Sequence, residues 1–125
     1  MKKTSLFILA TLAITAISAL GQVHGDYRSA VSGNWGTPAT WETYNADSTK
    51  WLAATVQPTS ANNVIISTGD SVMVEASGKN CLNLTIETNA KLYTNSVSNR
   101  YLNIYGSTLI NDGVMGGVSL VTASR

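Results

Sequence analysis

The chain has 125 residues, 8 Lys plus Arg against 7 Asp plus Glu, one His, one Cys and a formal charge of +1. That length supports one small domain with a thin core. The even charge balance, with no basic run, excludes a nucleic-acid surface built on phosphate neutralisation.

Met1-Lys2-Lys3 is a short basic start, and Leu6 to Leu20 is an uncharged apolar run with small residues after it. A bilayer span takes about 20 apolar residues, so the run is short for one. Basic start, apolar centre and small residues read as a secretory signal peptide over residues 1–25, cleaved after Gly21 or after Gly25. The expected location is therefore secreted or cell-surface, in a bacterium, with no membrane contact after cleavage. From Asp26 onward six Lys plus Arg face seven Asp plus Glu, a net charge near −1. A lone Cys81 rules out an internal disulfide, so hydrogen bonding and burial must hold the fold. Between Asn80 and Leu82 it reads as a small apolar filler.

Residues 26–61 carry all three Trp and both Pro, two of the Trp and one Pro within "SGNWGTPATWE", and keep no helical period. They read as an irregular segment with short strands. From residue 62 the apolar positions alternate: Val64 and Ile66, Val72 and Val74, Leu82, Leu84 and Ile86, Leu92, Leu102 and Ile104, then Leu109 or Ile110. Period-two alternation in Thr- and Asn-rich sequence predicts short half-buried strands. Gly69-Asp70, Ser77-Gly78, Thr88-Asn89, Gly106-Ser107 and Asp112-Gly113 supply the turns between them.

The strands recur. "NVIISTGDSV" (63–72) aligns with "NLTIETNAKL" (83–92) at an offset of 20, with Gly69 over Asn89. A third copy in "LNIYGSTLIND" fits at an offset of 20 or of 18. A strand-turn-strand unit repeating near 20 residues predicts a β-solenoid over 62–125, its inward Val, Leu and Ile stacked in columns. A small β-sandwich is the alternative. Asn63, Asn83 and Asn103 stand one repeat apart, as an amide ladder or as unrelated outward residues.

Chemistry is sparse. His24, the single histidine, sits beside the cleavage zone, so Ser-His-Asp or Cys-His catalysis lacks its base. A zinc site lacks ligands, no phosphate loop occurs, and the carboxylates form no column in the 20-residue register. The expectation is no catalytic, cofactor or metal site and no enzyme.

"SGNWGTPATWE", "NNVIISTGDSVMVE", "LNLTIETNAKLY" and "LNIYGSTLINDG" resemble, in order and spacing, G-eight-type domains and the N-terminal rungs of right-handed parallel β-helices in large secreted bacterial surface proteins. The resemblance covers about Ser32 to Gly113. It implies a non-enzymatic structural or adhesion-type module, the start of a β-helical surface protein, with no catalytic residue to carry over. Members are longer, which implies a truncated reading frame, a fragment or a short stand-alone member, with an uncapped end that takes further coils or self-associates.

Two roles remain for Trp35, Trp41, Trp51 and Tyr44: a cap over the first coil, or a platform stacking on sugar rings. The first goes with the adhesin-type module. The second makes the protein a carbohydrate-binding β-domain, with extracellular polysaccharide as its partner and with Tyr101 and Tyr105 as a further outward aromatic strip. A third reading is the front end of a β-helical polysaccharide-degrading enzyme whose active site lies beyond Arg125.

Overall fold

The computed structural model describes residues 22–95 and 99–122, so most of the leader lies outside the described residues. The chain is all-β with parallel sheets. Its strands are β1 (Tyr27–Ser29), β2 (Gly33–Asn34), β3 (Trp41–Asn45), β4 (Lys50–Ala53), β5 (Val64–Ile66), β6 (Ser71–Met73), β7 (Lys79–Cys81), β8 (Leu84–Ile86), β9 (Lys91–Tyr93), β10 (Arg100–Ile104), β11 (Leu109–Asn111), β12 (Val114–Gly116) and β13 (Val118–Thr122). A 3-10 turn at Pro38–Thr40 leads into β3.

Three sheets run β11-β8-β5-β1-β3-β4, β12-β9-β6-β2 and β13-β10-β7. From β5 onward the chain visits them in fixed rotation: first, second, third, then first again. Every pairing among β5 to β13 is parallel; the antiparallel pairs are β1 with β3 and β3 with β4. Antiparallel sandwiches are built otherwise. Short strands that pair only with distant neighbours gain their stability from burial, and the burial is in columns. Val64 pairs with Leu84 and Leu84 with Leu109; Val72 pairs with Leu92 and Leu92 with Met115; Cys81 pairs with Ile104. Val64, Leu84, Ile66, Ile86, Val72 and Leu92 are all buried in one cluster with Trp35 and Trp41.

The offset of 20 holds between the first two layers, Val64 to Leu84 and Val72 to Leu92. Gly69 and Asn89 sit at equivalent turns, with φ of +88° and +65°, the left-handed region that these two residue types tolerate best. The third copy differs from both expected registers. Leu84 pairs with Leu109, 25 positions on, while Leu102 pairs with Lys79 and Ile104 with Cys81. Each layer holds three strands rather than two. Alternation did not reveal β12, β13 or β7, whose "KNC" has one apolar residue, and β10 stacks on β7 instead of on β8.

Close packing of layers fixes the glycine at 113. A Cβ there would meet the Glu87 carbonyl oxygen at 2.6 Å and Ile86 Cγ2 at 2.8 Å, besides colliding with the Ala90 carbonyl. Gly113→Ala is therefore expected to destabilise by about 1–3 kcal/mol through overpacking, measured by urea denaturation; an unchanged midpoint would show that this layer has room.

Candidate functional site

The N-terminal segment adds β1 beside β5 and β2 beside β6, both parallel, so it extends the first sheet by β1, β3 and β4 and the second by β2. Trp35 and Trp41 point into the space between them and are 0% and 1% exposed. Their rings meet edge to face, with centroids 5.1 Å apart, and Tyr27 meets Trp41 at 6.3 Å. Trp41 Nε1 donates to the Trp35 carbonyl at 2.7 Å, whereas Trp35 Nε1 is buried without a partner among the described residues. The sugar-platform role for Trp35 and Trp41 is thereby corrected: no ring face of either is open to a ligand. They are core residues, buried in one cluster with Val64, Ile66 and Val72.

Trp51 and Tyr44 lie elsewhere. They are cross-strand partners on β4 and β3, half-buried, with ring centroids 5.3 Å apart. Arg28 of β1 places its guanidinium 4.4 Å from the Trp51 ring centroid and donates from Nε to Glu42 Oε1 at 2.9 Å. The four side chains make a polar–aromatic patch on the outer face of the first sheet. Arg28 and Glu42 carried no signal in the sequence, because their meeting depends on β1 pairing antiparallel with β3. Tyr101 is 53% exposed, and Tyr105 is half-buried.

The asparagines divide into two sets. Asn83 Nδ2 donates to Asn63 Oδ1 at 2.9 Å, and Asn63 Nδ2 donates to Asp26 Oδ1 at 3.1 Å. The next member is not Asn103 but the Thr108 backbone N–H, which donates to Asn83 Oδ1 at 2.9 Å. Asn103 donates instead to Asn80 Oδ1 at 3.0 Å, a rung on the third sheet. The three-residue ladder is corrected to two separate rungs, because residue 103 belongs to a strand stacked on β7.

The third sheet has no added strand from the N-terminal segment. Residues 57–59 pass beside β7 instead, leaving a cleft of about 240 Å³ against residues 77–80. Lys79 takes the column position of Leu102. Its ammonium turns to Gln57 Oε1 at 3.1 Å and Glu75 Oε2 at 3.7 Å. A charge pointing inward on an edge strand disfavours further pairing there.

At the opposite end β11, β12 and β13 are the outer strands of all three sheets. Leu109 is 44% exposed although its column partners Val64 and Leu84 are 1% and 0%. Ile110, Val114 and Val121 are also exposed.

Among the described residues no group of three or more His, Cys, Asp or Glu could hold a metal. Cys81 is fully buried, and burial pushes its thiol up to about 12 from 9.0. A thiolate nucleophile is therefore not available there. The shift has a stability consequence. The unfolded thiol ionises near 9 and the folded one does not, so the folded chain holds more protons between pH 9 and 12 and stability falls as pH rises through that window. The expected loss is about 1.4 kcal/mol by pH 10 relative to pH 8, absent in Cys81→Ala. Denaturant melts at the two pH values check it; equal pH dependence in both proteins would contradict it.

Fold and site together define an all-β protein of stacked parallel strands. Comparison with known proteins finds no matching family model, no matching curated protein and no matching solved structure.

Proposed function

We propose that the protein is a non-enzymatic extracellular module: the covered first rungs of an exported bacterial β-solenoid surface protein of the adhesion type. The observation that carries this reading is the fixed rotation through three parallel sheets, with Trp35 and Trp41 buried at one end and Leu109, Val114 and Val121 exposed on the outer strands of the other. A polar axis of this kind suits a protein that continues in one direction only. Inward columns of Val, Leu, Ile and Met then form a continuous core, to which each further layer adds.

Export is the condition for this role. The hydrogen bonds around residues 23–25 favour one of the two cleavage sites. Gly25 N donates to the Tyr44 carbonyl at 3.0 Å, Asn62 Nδ2 donates to the Gly25 carbonyl at 2.8 Å, and Ala46 N donates to His24 Nδ1 at 3.1 Å. Cleavage after Gly21 keeps all three, and cleavage after Gly25 discards the Gly25 acceptor and His24. Expressed from its full reading frame in a bacterium, the protein is expected outside the cytoplasm with Gln22 as its first residue. Mass spectrometry of the exported fraction reads this directly. Retention in the cytoplasm with the leader intact would overturn the extracellular role.

Carbohydrate binding through aromatic stacking is the second reading, supported by the half-exposed Tyr44 and Trp51 beside Arg28. Loss of glycan retention in Trp51→Ala, with unchanged stability, would favour it.

A further inference from the structure

We infer that the cleft between residues 57–59 and 77–80 is a binding site for a neutral, hydroxyl-rich ligand the size of one sugar ring. This site depends on the cleft alone and stands apart from the module's export or its continuation. The cleft exists because sheets one and two receive β1 and β2, whereas sheet three receives only the unpaired segment beside β7. Its volume of about 240 Å³ is below the ~300–1,000 Å³ of pockets for drug-sized ligands.

The lining chemistry selects the ligand. Gln57 and Asn80 contribute amides, Ser77 and Thr59 hydroxyls, Lys79 an ammonium, and buried Pro58 an apolar wall. Among the described residues, no aromatic ring and no carboxylate lines it. The Lys79 charge is already matched by Glu75, so the cleft offers no net charge to an anion. Hydrogen-bonding capacity remains. Asn80 Oδ1 accepts from Asn103, and Ser77 Oγ accepts from the Tyr101 N–H at 3.2 Å; among the described residues the Asn80 amide and the Ser77 hydroxyl have no acceptor and can donate. Many weak donors and acceptors around a small volume match vicinal hydroxyls. An extended peptide fits less well, because residues 57–59 occupy the place where a strand beside β7 would run.

The test is titration of ¹⁵N-labelled protein with glucose, galactose, mannose, glucuronate and a Thr-Val-Ser-Thr peptide, monitored by amide shifts. At least one neutral sugar is expected to shift residues 57–59 and 77–80 with a Kd of about 1 mM, in line with its dozen or so non-hydrogen atoms. Ser77→Phe, which fills the cleft, should weaken that Kd at least tenfold, and so should Gln57→Ala. Trp51→Ala should not change it. A folded spectrum of each variant separates loss of the site from loss of the fold. Shifts centred on Tyr44 and Trp51, tighter binding of glucuronate or of the peptide, or no shift with any neutral sugar would overturn the inference.

Discussion

Trp41→Ala and Trp35→Ala are each expected to lower stability by about 3–5 kcal/mol, the range for emptying a buried aromatic site. Both rings are sealed, and they pack on each other and on the Val64, Ile66 and Val72 columns. Trp41 also supplies a hydrogen bond to the Trp35 carbonyl, so its loss leaves that acceptor unpaired. A domain of this size has about 5–15 kcal/mol in total. Either change therefore consumes a large share of it. Trp51→Ala gives the contrast. Its ring is half-exposed and holds Arg28 by a cation–π contact, worth about 0.5–1 kcal/mol at such a site. Chemical denaturation of the three variants checks the ranking. If Trp51→Ala costs as much as Trp41→Ala, the buried aromatic core is not where the structure puts it.

The unpaired end carries the second large effect. From Ser107 to Thr122 the only charged residue is Asp112. Among the described residues, three parallel strand edges there present unpaired backbone groups beside Leu109, Val114 and Val121. Natural sheets protect such edges with charge, often pointing inward. The opposite edge does this through Lys79, and the outer layer does not. The protein at micromolar concentration is expected to self-associate in sedimentation, with Leu109→Lys plus Val114→Lys converting it to monomer. Both positions are largely exposed, so the double change should leave the melting profile nearly intact. A monomeric unsubstituted protein would contradict the account of this end.

The sequence carried the first two layers well. Val64, Ile66, Leu84 and Ile86 alternate cleanly, and Gly69 over Asn89 marks one turn conformation twice, so the register of 20 was legible from residue types alone. The third layer was hidden for a physical reason. Spacing along the chain is set by turns, which tolerate insertion, while strand pairing is set by burial. Leu102 and Ile104 look like copies of Leu84 and Ile86 because both pairs face inward; they face inward from different sheets. The offset of 20, which sets Leu102 and Ile104 over Leu82 and Leu84, joined Asn103 to Asn63 and Asn83 by the same kind of likeness. The fates of the three tryptophans were also beyond local reading. Trp41 and Trp51 both lie on strands of one hairpin, and only the pleat decides that one faces the core and the other faces Arg28. The cleft beside β7 had no signal, since it arises from a strand that the N-terminal segment does not supply.

The central claim is that three-stranded layers stack in parallel register. Backbone NOEs between strands test it most directly. The account predicts contacts linking Ile65 with Thr85 and Thr85 with Ile110, Val72 with Leu92 and Leu92 with Met115, and Asn80 with Asn103 and Asn103 with Val121. Antiparallel contacts between consecutive strands, such as β5 with β6 or β8 with β9, would contradict it.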